Sequence, residues 1–269
     1  MAKKIQYVVA TTGRENLDFF DEMNISAPAI VTNQCGAYGI EEKGETVLVS
    51  TPTKGVGINR NLGLSLSDAQ YAFIVDDDMV FYDNADSILN DAIQAHPDAD
   101  VIIFGFDYMK GTEKLRDRMK RSQKINFFNC LNYGICCALV KTEKIRQKNI
   151  SFTTFFGGGC VYGSGEDSLF YLECVRKKLK VYTCATAVGM NQYRESTWFS
   201  GYDCKFFYDK GAWIACAFPK VKHLIKWYFA LRFKKRTELK LGAVMRAINQ
   251  GIKGFQTLAP YNRREENEA

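Results

Sequence analysis

The sequence predicts an α/β fold, a mixed and mostly parallel sheet with helices on both faces, followed by a helical basic extension. Two observations carry that reading. Short apolar runs rich in β-branched and aromatic residues alternate with helix-period segments through the first hundred residues. Such alternation suits parallel strands, which need a long crossover and gain one from each intervening helix. The charge then changes sharply late in the chain. Phe218 to Phe255 holds ten basic residues and one acid, Glu238, a net +9 against +6 for all 269 residues, so the remainder carries −3. The division is drawn at residue 210, with 1–210 as the α/β domain and 211–269 as an amphipathic basic tail.

The elements follow in order. Ile5 to Ala10 reads as the first strand, with Thr11-Thr12-Gly13-Arg14 as its loop, and Ala29 to Thr32 and Thr46 to Ser50 as further strands. Val56 to Asp68 carries Ile58, Leu62, Leu64 and Leu66 at helical spacing. Tyr71 to Val75 is a buried strand, and Asn84 to Ala95 is a helix with Ile88, Leu89, Ala92 and Ile93 on one face. Asp100 to Phe104 returns as a strand. Asn126 to Val140 has no clean period and is assigned to strands of the mixed sheet. Thr142 to Lys148 is a short helix, Phe155 to Gly165 a glycine-rich loop, Glu166 to Lys178 a helix and Val181 to Cys184 a strand. In the tail, Trp213 to Phe233 and Leu241 to Ile252 have helical spacing.

Bulk properties exclude several classes. A 46% hydrophobic, 25% charged composition is that of a globular protein. Nine scattered cysteines without a Cys-x-x-Cys speak against a zinc ribbon or a secreted disulfide framework and fit a reducing compartment. Two distant histidines, His96 and His223, make a histidine metal centre or a Ser-His-Asp triad a poor fit. No secretory leader and no apolar run of ~18 residues is expected to direct the chain out of or through a membrane, so the expected location is the cytoplasm.

Chemistry concentrates in three places. Asp76-Asp77-Asp78 closes the apolar run Tyr71–Val75. Adjacent carboxylates repel, and a hard cation shared with a phosphorylated ligand relieves the repulsion; the triplet alone also fits a solvated turn with an Asp cap. Lys54-Gly55-Val56-Gly57-Ile58-Asn59-Arg60-Asn61 is neither a dinucleotide fingerprint nor a Walker A loop. A glycine turn opening a helix still points unpaired N–H groups outward, which suits an anion, and Arg60 adds a planar fork. Gly165-Glu166-Asp167-Ser168 begins a helix, where a carboxylate serves equally as a cap of the macrodipole or as a general base.

Taken together and in this order, the motifs resemble the family 2 glycosyltransferases of the GT-A fold. Lys54-Gly55-x-Gly57-x-x-Arg60-Asn61-x-Gly63-Leu64 through Phe73-x-x-Asp76-Asp77-Asp78 is similar to that family's donor signature, and Gly165-Glu166-Asp167-Ser168-x-Phe170 to its acceptor-side motif. The resemblance spans roughly Ile5 to Asp203. It implies that Asp76 faces the ribose or donor sugar, and that Asp78, with Asp76, holds Mg²⁺ or Mn²⁺ against the diphosphate. Asp77 assists through its backbone or from behind. Thr11 and Arg14 border the base and Arg60 contacts the nucleotide. Asp167 is the catalytic base, with Glu166 binding acceptor or supporting it. The family often carries a histidine beyond the base; Gly189-Met190-Asn191-Gln192 stands there instead. A processive Gln-x-x-Arg-Trp signature is absent, which implies transfer of one sugar. The implied reaction inverts the anomeric centre, moving a sugar from a nucleotide-diphosphate carrier, expected to be UDP, to a hydroxyl of a glycan or lipid-linked acceptor in bacterial surface polysaccharide or glycolipid assembly.

Trp198, inside Ser196-Thr197-Trp198-Phe199-Ser200-Gly201-Tyr202, reads either as an acceptor platform or as core packing. The tail reads as a basic, aromatic-rich surface for an anionic membrane through residues 218–255, or as a packed helical pair with a solvated basic face. A peripheral position on the inner face of the cell membrane follows from the first. Nucleic acid is not an expected partner, since the crevice is acidic. Two other functions share these features: a nucleotidyltransferase of related fold, and a non-catalytic membrane-surface carbohydrate-binding module.

Overall fold

In the computed structural model, which describes residues 4–117, 119–192 and 201–261, contacts divide the chain into two units. Met1–Thr153 with Asp167–Arg194 forms the first, and Thr154–Glu166 with Glu195–Ala269 the second. The sequence boundary at residue 210 falls inside a helix of the second unit.

The first unit is built on one sheet. Its elements in chain order are β1 (Ile5–Thr12), α1 (Asp18–Asp21), β2 (Ala29–Gln34), β3 (Gly39–Lys43), β4 (Thr46–Thr51), α2 (Val56–Leu66), β5 (Tyr71–Asp76) and β6 (Met79–Phe81). Then come α3 (Ala85–Ala95), β7 (Val101–Lys110), β8 (Glu113–Asp117), β9 (Gln123–Lys124), β10 (Ala138–Lys141), α4 (Thr142–Gln147), α5 (Glu166–Arg176) and β11 (Val181–Gln192). The strands lie in the order β3-β4-β2-β1-β5-β10-β7-β11-β6, with β8 on β7 and β9 on β11. β4, β2, β1 and β5 are parallel neighbours, as are β7 and β11, while β10 runs antiparallel between β5 and β7. The expected α/β class with a mostly parallel sheet is what the chain adopts.

Burial explains the legible strands. Tyr7 to Val9 and Ala72 to Val75 are covered on both faces, so they read as unbroken apolar runs. Tyr7, Phe73, Phe81 and Phe104 meet edge to face at 5.1–5.8 Å between ring centres, a geometry the ring quadrupoles favour. Asn126 to Val140 contributes one strand only, β10, after a 3₁₀ turn at Cys130–Asn132. β11 runs eight residues beyond the Cys184 at which the sequence reading ends it, because register shifts at Cys184/Ala187 and Ala187/Met190 break its pattern. β3 is exposed along its length, and its Gly-Ile-Glu-Glu-Lys composition carries no strand signal.

α2 is pressed against the sheet. A side chain at Gly63 would come within 2.4 Å of Val8 Cγ1, so only glycine allows this approach. Buried Asn59 then donates to the carbonyls of Thr11 and Thr32, both at 2.9 Å, and pins the helix over the carboxyl ends of β1 and β2.

Among the described residues, the second unit holds three α-helices of its own beside the Thr154–Glu166 segment. α6 (Cys204–Ala217) and α8 (Leu241–Gly254) cross at Gly211 and Gly251, where an added Cβ would stand 2.1 Å from Ile248 O and 1.9 Å from Tyr208 O. α8 turns its apolar face, Val244, Ala247, Ile248 and Ile252, into this contact. α7 (Lys222–Phe233) follows a break at Phe218–Val221 that contains Pro219, so the expected 213–233 helix is two helices. Thr154–Glu166 is held by Gly163 N–H donating to Asp209 at 2.9 Å and by Trp213 Nε1 donating to Gly165 O at 3.3 Å. Among the described residues no helix is long and apolar enough to cross a membrane.

Candidate active site

The site is assembled at the carboxyl ends of β1 and β5. Parallel pairing sets Ala10 beside Asp76, so the strand ends bring Thr11 and the acidic triplet together. In open α/β sheets this is where ligands bind, since strand carboxyl ends and helix N-termini converge there.

Two arginines hold the triplet. Arg14 Nη2 donates to Asp77 Oδ2 at 2.9 Å, and Thr11 Oγ1 donates to the same oxygen at 2.5 Å. The Arg14 guanidinium also lies 4.4 Å from the centre of the Phe19 ring on α1. Its backbone is fixed by Asn33 of β2, which accepts from Arg14 N–H at 3.1 Å and donates to its carbonyl at 2.8 Å. Asp77, expected to assist from behind, is thus the anchor of the Thr11–Arg14 turn.

Arg60 is buried, 4% exposed, and joins two distant motifs. Its Nη2 donates to Asp76 Oδ1 at 2.8 Å and its Nη1 to Asp167 Oδ1 at 3.1 Å. The guanidinium fork suits this bridge, because one planar cation offers separate N–H groups to two carboxylates. The Phe152 ring lies 5.6 Å from the guanidinium carbon. Phe152 stacks on Phe170 of α5 at 4.3 Å, and its backbone exchanges hydrogen bonds with the Asn61 side chain at 2.8 and 2.9 Å. The Gly55 turn ahead of α2, at φ +115°, is clamped by Gln34, which donates to its carbonyl at 3.0 Å and accepts from its N–H at 3.1 Å. Asp76 and Asp167 line one cavity of about 220 Å³, with Phe104, Gly134 and Cys136 on its walls. Hydrogen bonding to Cys137 and burial push the Cys136 thiol well above its ordinary range, so it is a protonated wall of the pocket.

Asp78 differs from its neighbours. Its Oδ1 is buried without a hydrogen-bond partner. Burial, and then the charges of Asp76 and Asp77, raise its carboxyl above the usual range, while Asn191 of β11 offers a hydrogen bond that works the other way. An orphaned carboxylate oxygen fits a hard divalent cation. Asp76 and Asp77 already accept from arginines, and among the described residues no group of three or more His, Cys, Asp or Glu converges as a metal cage. Asp78 is therefore the carboxylate of the triplet with an oxygen left unsatisfied by the protein.

Glu166, the first residue of α5, belongs to the second unit, where its Oε2 accepts from Gly165 N–H at 3.1 Å. The base candidate and its neighbour in sequence thus fall on either side of the division. Trp198 lies outside the described residues. Sequence reasoning missed Asn33, Asn191, Phe152 and Cys136, which act through contacts from far along the chain and carry no local signal.

Residues 30–159 match the family model for glycosyl transferase family 2. That segment contains Arg60 and Asp76–Asp78, whereas Thr11, Arg14, Glu166 and Asp167 lie outside it. A comparison with curated proteins finds no match. Among solved structures, the fold is similar to residues 1–349 of TarS from S. aureus in complex with UDP-GlcNAc, at 14% identity and a TM-score of 0.59, over 95% of this chain and 73% of that one. The same fragment in complex with UDP aligns at 13% identity and a TM-score of 0.59, over 98% of this chain and 77% of that one. Against S. aureus TarS itself the identity is 14% and the TM-score 0.56, over 95% of this chain but 43% of that one. At this level of identity the likeness shows the fold. Residues 30–159 are thus similar to glycosyl transferase family 2, and the fold of the chain is GT-A.

Proposed function

We propose that the protein moves one sugar from a nucleotide-diphosphate sugar, with UDP as carrier, to a hydroxyl of a glycan or lipid-linked acceptor, with inversion at the anomeric carbon. The observation that carries the reading is the Arg60 bridge, which holds Asp76 and Asp167 at 2.8 and 3.1 Å from one guanidinium beside a common cavity. A donor-side acid and a base candidate thereby share a crevice large enough for a sugar ring. The UDP and UDP-GlcNAc complexes of TarS support a nucleotide-sugar as the donor class.

In this reading Thr11 and Arg14 border the base of the nucleotide, and Asp76 meets the ribose or donor sugar. Asp77 keeps the turn closed through Thr11 and Arg14. Arg60 holds Asp76 and orients Asp167. Asp167 accepts the proton of the acceptor hydroxyl as that oxygen attacks from the face opposite the leaving group. Electrons of the breaking glycosidic bond leave on the nucleoside diphosphate, so no covalent enzyme intermediate is needed. Asp78 would hold Mg²⁺ or Mn²⁺, and a bound divalent cation supplies charge neutralisation for the departing diphosphate. Glu166 supports the acceptor side. The acceptor belongs to surface polysaccharide or glycolipid assembly, and the basic 218–255 tail keeps the enzyme at the inner membrane face.

The test is product analysis with UDP-sugars and Mn²⁺. Release of UDP with a new inverted glycosidic bond, lost in Asp167→Asn, supports the reading. Release of pyrophosphate would indicate nucleotidyl transfer. Absence of both nucleotide binding and turnover across nucleotide-sugars would leave a non-catalytic module.

A further inference from the structure

The tail's two amphipathic patterns have different fates. α8 spends its apolar face on α6, whereas α7 turns a second apolar stripe outward. Val221, Leu224, Trp227, Tyr228 and Leu231 are 45, 73, 48, 53 and 60% exposed. At 100° per residue the four of these within α7, Leu224, Trp227, Tyr228 and Leu231, share an arc of about 100°, and Val221 is the cap just before them. The opposite side of α7 is the packed one: Ala230 is fully buried and Phe229 meets Trp213 at 5.5 Å. The helix is therefore seated in the unit by one face and leaves a clean apolar face outside.

Charge completes the surface. Lys220 and Lys222 stand at the start of α7, Arg232 near its end, and Lys234, Lys235 and Arg236 in the 3₁₀ turn that follows. No acid occurs from Phe218 through Thr237. Arg232 lies over the Tyr228 ring at 5.7 Å, and Arg236 over those of Tyr202 and Phe233 at 5.9 and 5.7 Å, so the cations are held close to the aromatic rim. A water-facing helix has no use for four large apolar side chains in one row. Leucines flanked by Trp and Tyr, rimmed by Lys and Arg at both ends, match the depth profile of an anionic bilayer interface, where apolar groups enter the acyl boundary and cations stay among the phosphates.

We infer that the outward face of α7, and not α8, is a lipid-docking surface that lays this helix in the plane of an anionic membrane. Val221, Leu224, Trp227 and Leu231 enter the boundary region, Tyr228 sits at its edge, and the flanking Lys and Arg side chains meet lipid phosphates. This sharpens the membrane part of the reading above and does not depend on sugar transfer.

The full chain is tested by co-sedimentation with vesicles of phosphatidylcholine alone and of phosphatidylcholine with phosphatidylglycerol. Wild type is expected to partition onto the anionic vesicles at low salt and to release at high salt, as screening weakens the basic rim. Leu224→Ser/Trp227→Ser/Leu231→Ser lowers the partition coefficient at least tenfold while its far-UV circular dichroism and nucleotide-sugar binding stay unchanged, since all three side chains are exposed. Lys234→Gln/Lys235→Gln lowers it about fivefold per charge on anionic vesicles only. Equal partitioning of wild type and the triple variant overturns the inference. So does failure of wild type to bind anionic vesicles at low salt, and so does a wild-type dimer that the triple variant dissolves without vesicle binding, which would assign the stripe to a second copy. Loss of sugar transfer with vesicle binding intact would count against the enzymatic reading alone.

Discussion

Replacing Arg60 by methionine tests the centre of the site. Methionine keeps much of the volume and the contact with Phe152 but strands Asp76 and Asp167 without their shared cation. Each charge-assisted hydrogen bond contributes roughly 1.5–3 kcal/mol when its partner is removed. The two carboxylates are 36 and 32% exposed, so water recovers part of that loss. The expected destabilisation is then about 2–3 kcal/mol, below the full penalty for a buried pair. For a chain of this size that corresponds to a fall of roughly 5–10 °C in Tm. The assay is urea and thermal unfolding followed by far-UV circular dichroism. Adding Asp76→Asn and Asp167→Asn to the same chain should restore most of the stability, because the cost lies in the stranded charges. Arg60→Lys should fall between, since an ammonium cannot reach both acids as a fork. A Tm within about 1 °C of wild type for Arg60→Met would refute the bridge as the organising contact.

Asp167→Asn keeps an acceptor for Arg60 and should cost about 1 kcal/mol or less, while steady-state turnover falls by a factor of about 10² to 10⁴. Asp78→Asn should abolish metal-stimulated turnover yet make the metal-free protein more stable at neutral pH. The native carboxyl is raised above its unfolded value, so the fold holds the extra proton, and wild type loses stability as pH rises through that interval; equal pH profiles for both proteins would contradict this. Burial lowers Lys210 to about 8, with its ammonium 5.0 Å from the Trp213 ring centre. Its unfolded form binds the proton up to ~10.4, so wild-type stability should climb between about pH 8 and 10.4. Lys210→Met should gain about 1–2 kcal/mol at pH 7, after allowing for cation–π attraction, and that advantage should vanish near pH 10.4. Gly251→Ala drives a methyl group into Tyr208 O and should cost about 3 kcal/mol or more by unfolding titration; a neutral result would mean the α6–α8 crossing is looser than described.

The parts of the fold that could be read in the sequence are those where one physical rule dominates. Tyr71–Val75 and Ile5–Ala10 are buried on both faces, so hydrophobicity alone marks them. Ala85–Ala95 has a single apolar face and announces its period. β3 escapes notice because a solvated edge strand needs no apolar residue, and the far half of β11 because its bulges spoil any period. The site was legible as three motifs but not as a circuit. Nothing local says that Arg60 reaches Asp167 across 107 residues, or that Asn33 shapes the Arg14 turn. In the tail, helical spacing was visible for both α7 and α8. Which of them turned inward depended on Gly211 and Gly251, whose missing side chains let α8 sink onto α6.

The short excursion Thr154–Glu166 has a practical consequence for anyone who would shorten or transplant this protein. Its glycines are tethered to Asp209 and Trp213, and Gly165, at φ +119°, leaves no room for a side chain beneath the indole. Cutting after residue 194 would discard those tethers and leave thirteen residues stranded immediately before Asp167. The C-terminal helices are thus no removable cassette: they brace the loop that precedes Asp167 in the chain, and swapping them between homologues requires exchanging that loop in the same step.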